Sequence, residues 1–164
     1  MRKNILAGLM AAAVGFSGMM VVHGEDPAAP GELLGPISRM LVVTGKKTED
    51  GITAVRRGKS LVAVVRQRVK APAGVLQFSG KVSGNTAAVN VSIIAKNKGK
   101  KSFQKACWLN EKALVKSDDG TKSFGGTLDC TGMIADEIYF YFEGFVRKEG
   151  TVVIHKLSLQ EQKD

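Results

Sequence analysis

Short runs in which apolar and polar residues alternate recur along most of the chain. Each run is rich in β-branched residues and closes on Gly, Asn, Asp or Lys, as strands do. The apolar spacing of an amphipathic helix is almost absent. The predicted strands span 39–44, 52–56, 60–70, 75–83, 87–96, 102–109, 122–130, 136–146 and 151–159. So many short strands predict an all-β sandwich rather than a parallel α/β sheet.

The same alternation predicts which side chains face the core. The inward set is Leu61, Ala63, Val65, Leu76, Phe78, Val82, Val89, Val91, Ile93, Phe103, Cys107, Leu109, Phe124, Leu128 and Cys130. The outward set includes Arg66, Arg68, Asn90, Ser92, Gln104 and Trp108. In the last strand Ile154 and Leu157 can share a face only if His155 and Lys156 form a bulge, which we therefore expect.

The segment "ADEIYFYFEGF", residues 135–145, contains both tyrosines of the chain. Reading by twos, Phe140 and Phe142 fall on one face, whereas Tyr139, Tyr141 and Glu143 fall on the other. Aromatic hydroxyls beside a carboxylate on the solvent side of a strand favour a binding function; the alternative is a half-exposed sheet whose aromatic residues are covered by a loop or a partner.

The N-terminus has the layout of a secretory signal. Arg2 and Lys3 precede an apolar run from Ile5 to Val22, and charge returns at Glu25. We predict a signal peptide over 1–24, a Pro-rich flexible lead-in over 25–36 and a β-sandwich over 37–164, with no membrane span in the mature chain. The run is long for a signal, so a retained membrane anchor stays an alternative. Export places the protein outside the cell, in the periplasm or in the cell envelope.

The charge of the chain is strongly positive. Of the 24 Lys and Arg residues, 22 remain without Arg2 and Lys3, against 15 Asp and Glu residues. The positive residues cluster in "RRGK" (56–59), "RQRVK" (66–70) and "KNKGKK" (96–101). For an exported protein this favours an acidic glycan, an envelope surface or anionic lipid over nucleic acid, although solvated loops explain any single cluster equally well.

Two cysteines, Cys107 and Cys130, are present. An even number in an exported chain predicts a disulfide between them, and both fall on inward positions. Two cysteines and the single mature histidine, His155, lack the spacing of a metal site.

The residues also argue against an enzyme. His155 is the only histidine that could serve a nucleophile, and no G-x-S-x-G turn occurs. Glu137 and Glu143 share a face about 20 Å apart, because a strand rises about 3.3 Å per residue. That separation is too great for the paired carboxylates of a glycosidase.

Five stretches of the chain resemble, in their order, the jelly-roll carbohydrate-binding modules appended to bacterial cellulases and xylanases, which have a galactose-binding-like fold. These are "GKSLVAVVRQRVKAPAGVLQFSGKVSG", "VNVSIIAKNKGKKSF", "DDGTKSFGGTLD", "ADEIYFYFEG" and "GTVVIHKLSL". Such modules often carry aromatic–x–aromatic–x–Glu–Gly before the last strand, which matches Tyr139, Tyr141, Glu143 and Gly144. Their closing strand often supplies acids to a structural calcium. The run Ile154-His155-Lys156-Leu157 lacks those acids, so we expect no cofactor, and calcium is disfavoured.

The resemblance implies that strands 60–70, 136–146, 87–96 and 102–109 share one sheet. Tyr141, Glu143 and Trp108 would then form the centre of a glycan-binding face. The resemblance places Tyr139, Gln104, Arg66, Arg68, Asn90 and Ser92 around them. The function it implies is a non-catalytic, exported polysaccharide-binding module. The alternative is an envelope structural or protein-interaction sandwich that has no glycan ligand.

Overall fold

The computed structural model describes residues 31–56, 63–70 and 74–162. Within them the chain forms eleven strands and two three-residue 3-10 helices, Ile37–Arg39 and Glu111–Ala113. The strands are β1 (Leu41–Thr44), β2 (Lys46–Thr48), β3 (Gly51–Arg56), β4 (Ala63–Val69), β5 (Val75–Gly84), β6 (Ala88–Asn97), β7 (Lys100–Asn110), β8 (Val115–Lys116), β9 (Lys122–Asp129), β10 (Glu137–Phe145) and β11 (Gly150–Glu161). The all-β prediction is confirmed. β2 and β8 are strands that the sequence pattern did not predict.

The strands form two antiparallel sheets. One sheet has the order β1-β4-β10-β6-β7, and the other has the order β2-β3-β11-β5-β9-β8. The four strands that the resemblance placed together, β4, β10, β6 and β7, are neighbours in the five-stranded sheet. The chain is therefore a β-sandwich in which β10 lies at the centre of one sheet.

The core lies between the two sheets and consists of the inward side chains of both. Phe140 and Phe142 are buried from the five-stranded sheet, and Phe78 and Phe124 are buried from the six-stranded sheet. Phe124 stacks on Phe142 with ring centroids 5.4 Å apart, which joins the two layers. Alternation predicted these positions correctly. Leu61 and the side chain of Ala63 lie outside the described residues.

The predicted bulge in the last strand is confirmed. Ile154 pairs with Val82, but Lys156 pairs with the next residue, Lys81, so β11 gains one residue at His155. Both Ile154 and Leu157 are buried as a result. His155 Nδ1 lies 2.9 Å from the carbonyl oxygen of Asp50, to which only a protonated nitrogen can donate. Its Nε2 lies 2.8 Å from Ser83 Oγ, so hydrogen bonds hold both ring nitrogens.

The predicted disulfide is wrong, since Cys107 and Cys130 are both free. Cys107 lies in β7 of the five-stranded sheet, where it pairs with Val91 of β6. Cys130 directly follows β9 of the six-stranded sheet. Burial raises the pKa of the Cys130 thiol, which keeps it protonated.

The first described residues lie along β11. Glu32 forms a bridge with Gln160, and the Leu33 N–H donates to the Leu159 carbonyl at 2.8 Å. The Glu32 carboxylate accepts the Leu159 N–H at 2.7 Å and the hydroxyl of Ser158. The predicted signal segment, 1–24, lies outside the described residues. No helix in the described ranges is long and apolar enough to cross a membrane.

Candidate functional site

The outer face of the five-stranded sheet, meaning the side away from the core, carries every residue predicted for the glycan-binding site. The strand pairing arranges these residues in three rows. The first row is Glu143, Asn90 and Trp108, the second is Arg66, Tyr141, Ser92 and Ala106, and the third is Arg68, Tyr139, Ile94 and Gln104. Because direct partners in a sheet point to the same side, these side chains are neighbours on one surface.

An aromatic pair stands at one end of the outer face. The rings of Trp108 and Phe145 are 4.6 Å apart between centroids and tilted by 51°. Trp108 is 56% exposed, so a large part of the indole meets solvent. With Ala88 and Asn110, this pair lines a shallow depression of about 350 Å³.

A polar pair occupies the middle of the face. Asn90 Nδ2 donates a hydrogen bond of 2.6 Å to Glu143 Oε2. The resemblance grouped Trp108 with Tyr141 and Glu143 at the centre of the face; in the structure Asn90 on β6 lies between Glu143 on β10 and Trp108 on β7. The aromatic neighbour of Trp108 is Phe145 instead. The second amide proton of Asn90 and the second carboxylate oxygen of Glu143 are further groups that can form hydrogen bonds.

A second aromatic pair lies beyond the polar pair. Tyr139 and Tyr141 meet edge to face, with ring centroids 6.4 Å apart. The guanidinium of Arg66 lies 5.2 Å from the centre of the Tyr139 ring, and Lys96 Nζ lies 5.3 Å from it. A hydrogen bond with Tyr141 raises the pKa of Arg66, which keeps the guanidinium charged.

Arg68 and Gln104 border this second pair. Arg68 lies 3.8 Å from Glu137 in an exposed ion pair, and the Tyr139 hydroxyl donates to the same carboxylate at 3.2 Å. On the opposite side Gln104 Oε1 accepts a 2.9 Å hydrogen bond from Lys101 Nζ. A depression of about 380 Å³ lies at this end, lined by Arg68, Val69, Lys70, Ala135, Asp136 and Ile138.

The prediction that Ser92 points outward is correct for its side of the sheet but wrong for its exposure to solvent. Ser92 belongs to the outer-face row, but it is only 3% exposed. Its partners are Tyr141 and Ala106, and the larger side chains around it cover the short serine hydroxyl. Alternation predicts the side of the sheet on which a residue lies, but not how far its neighbours extend over it.

Sequence reasoning missed Phe145, Ile94 and Lys96 as members of the outer face. The signal was available, because Phe145 continues the alternation of Tyr139, Tyr141 and Glu143. Ile94 and Lys96 likewise continue that of Asn90 and Ser92. Across the described ranges no group of three or more His, Cys, Asp or Glu residues could hold a metal ion.

The sequence matches no protein-family model and no curated protein. Several solved structures do match. They include a xylan-binding module, CBM15, with a TM-score of 0.51 and 15% identity, over 73% of this chain and 82% of that one. A CBM4 module has a TM-score of 0.45 and 17% identity, over 75% and 78% of the two chains. The CBM22-1 xylan-binding domain of Paenibacillus barcinonensis Xyn10C has a TM-score of 0.42 and 11% identity, over 76% and 83%. At such identities the likeness concerns the fold, and the chain has the jelly-roll fold of the carbohydrate-binding modules.

Proposed function

We propose that the protein is an exported, non-catalytic module that binds a polysaccharide along the outer face of its five-stranded sheet. A sugar ring presents apolar C–H groups on its faces and hydroxyls around its rim. Aromatic rings suit the faces, whereas carboxylates, amides and guanidinium groups suit the rim. The outer face offers both kinds of group.

The observation that carries the proposal is the order of these groups along the face. The Trp108–Phe145 pair and Tyr141 are separated by the hydrogen-bonded Asn90–Glu143 pair. Phe145 and Tyr141 are four residues apart on β10, or about 13 Å. Such an arrangement suits an extended chain of several sugars, with aromatic contacts near its ends and hydroxyl contacts between them.

The geometry also supports a role without chemistry. Glu137 and Glu143, on the outer face, are about 20 Å apart along β10. His155 belongs to the other sheet, and hydrogen bonds engage both of its ring nitrogens. Neither arrangement provides the acid and base that hydrolysis of a glycosidic bond needs.

Export rests on the N-terminal segment, where a basic start, an apolar run and small residues precede Glu25. A polysaccharide-binding role is compatible with that destination, because envelope and extracellular polysaccharides are accessible there. The protein would therefore act in the periplasm, the cell envelope or the medium.

Affinity electrophoresis and calorimetry against a panel of polysaccharides test the proposal. The panel includes xylan, because one neighbour in fold is a xylan-binding module. Trp108→Ala should weaken binding about fivefold or more, because a lost aromatic contact costs roughly 1 kcal/mol in addition to the apolar area it buries. Val115→Ala is the matched control, since Val115 is also exposed but lies on β8 at the edge of the other sheet.

Absence of binding across the panel would contradict the proposal. The alternative, a sandwich that uses the same face against another protein, would then be preferred. Equal losses in the Trp108 and Val115 variants would move the binding surface away from the outer face.

A further inference from the structure

We infer that the tyrosine end of the outer face, defined as Tyr139, Tyr141, Arg66, Lys96 and Arg68, selects sugars that carry a carboxylate or sulfate group. This inference rests on the proposed function and specifies its ligand class. The positive charge of this end is concentrated on the binding face itself rather than on the loops alone.

Two cations are held beside the Tyr139 ring. Arg66 approaches it from β4 and Lys96 from β6, the two strands that flank β10. These strands are about 10 Å apart, since neighbouring strands are spaced by about 4.8 Å. The electron-rich face of the ring attracts both charges, so Tyr139 positions cations rather than offering a free face to a sugar.

The acids nearby do not form ion pairs with these two cations. Glu137 lies directly opposite Lys96 in the strand pairing, but its carboxylate contacts Arg68 and the Tyr139 hydroxyl. Asp136 Oδ2 accepts the Lys98 N–H at 3.0 Å, so this carboxylate fastens the 130–136 loop to the β6–β7 hairpin. Among the described residues no carboxylate forms an ion pair with Arg66 or Lys96.

The surroundings add positive charge on both sides. Lys98, Lys100 and Lys101 lie in the adjoining hairpin and are exposed, and Lys70 lines the depression at this end. At the opposite end, in contrast, Arg147 pairs with Glu111 at 3.1 Å. The two ends of the face therefore differ in electrostatic character, although each has an aromatic pair.

This difference indicates the ligand. A sugar resting on Tyr141 would place an acidic substituent within reach of Arg66 and Lys96. A guanidinium binds a carboxylate or sulfate in a two-pronged geometry, and an ammonium adds a point charge. A neutral polymer would leave both cations without a counterion and would bind more weakly.

Two matched pairs of polymers test the inference: polygalacturonate against its fully methyl-esterified form, and dextran sulfate against dextran. The first pair differs in carboxylate and the second in sulfate, so the two arms identify the anion. We expect the wild-type protein to bind at least one charged polymer about tenfold or more tightly than its neutral counterpart, since charge-assisted hydrogen bonds are roughly twice as strong as neutral ones. Raised salt should reduce the preference.

The double variant Arg66→Gln with Lys96→Gln should lose the preference, so that its affinity for the charged polymer falls by a larger factor than its affinity for the neutral counterpart. The control is Lys112→Gln with Lys148→Gln, which removes the same charge from exposed positions in the 3-10 helix Glu111–Ala113 and the β10–β11 loop. Equal binding to charged and neutral polymers would overturn the inference but leave the proposed function standing. Equal losses in the two double variants would also overturn it, because net charge alone would then explain the preference. Failure to bind any polysaccharide in the wider panel would instead refute the proposed function.

Discussion

At the scale of the residue, β10 places aromatic rings in two different environments. Phe140 and Phe142 are 1% and 0% exposed, whereas Tyr139 and Tyr141, which alternate with them, are half-buried on the outer face. A buried ring is held by packing on several sides, but a ring on the outer face is held mainly by its cross-strand neighbours. The same kind of truncation should therefore have different consequences at consecutive positions.

We predict that Phe140→Ala and Phe142→Ala each lower the free energy of unfolding by roughly 3–5 kcal/mol, because each leaves a cavity in the core. Tyr141→Ala should change the unfolding midpoint little and weaken polysaccharide binding. Urea unfolding followed by circular dichroism, together with calorimetric titration, measures both effects. A Tyr141→Ala variant as unstable as Phe140→Ala would mean that both faces of β10 are core.

Residue alternation predicted the faces well because the two-residue period is a local property of a strand. It could not predict the environment of Ser92 or the separation of Cys107 from Cys130. The burial of Ser92 depends on the side chains that happen to flank it in other strands. The cysteine separation depends on how two sheets are stacked, and a parity argument within each strand contains no information about that.

At the scale of the element, β5 and β9 join through complementary large and small residues. Phe78 is directly opposite Gly126, and Gly80 is directly opposite Phe124. Each phenylalanine lies over the glycine of the other strand: a Cβ added at Gly126 would approach the Phe78 ring to 2.8 Å, and one added at Gly80 would overlap the Phe124 ring. The absence of a side chain at these glycines makes room for two of the core rings.

We predict that Gly80→Ala lowers the free energy of unfolding by about 1–3 kcal/mol, because the new methyl group displaces Phe124 from its stack on Phe142. The control is Gly125→Ala, since Gly125 is exposed and its added Cβ would lie 3.3 Å from the Phe78 carbonyl oxygen. Thermal unfolding of the two variants provides the comparison. A Gly80 variant as stable as the Gly125 variant would show that the core accommodates the added volume.

Among the elements, the long alternating strands were predictable and the short edge strands were not. β2 is the polar run Lys46–Thr48, and β8 is only Val115–Lys116. Neither strand is long enough to show the two-residue alternation of apolar and polar side chains. Both are defined by their pairing, β2 with β3 and β8 with β9. The bulge at His155 was predictable because two apolar residues at the wrong spacing required it.

At the scale of the whole molecule, the chain divides into the sandwich and an N-terminal segment with the composition of a secretory signal. Glu25 begins the stretch that leads to Glu32, whose carboxylate is bound to β11. The proposed cleavage site therefore precedes the first described residues, which pack against β11.

We predict that the exported protein begins near Glu25. Removal of a signal peptide there lowers the mass and takes away Arg2 and Lys3, leaving an excess of about seven positive charges. Intact-mass spectrometry of protein recovered from the periplasm or the medium measures this directly. A chain that retains Met1 and fractionates with membranes would favour the anchor instead.

The bridge between Glu32 and Gln160 also determines where a covalent attachment would lie. Both residues belong to the layer that contains β11, whereas the outer face belongs to the opposite layer. A polypeptide joined at either end of the described domain would thus leave from adjacent points on the side of the sandwich opposite the proposed binding face. The domain could be tethered at one end, or inserted between two segments of a host chain, while its outer face stays open toward a surface.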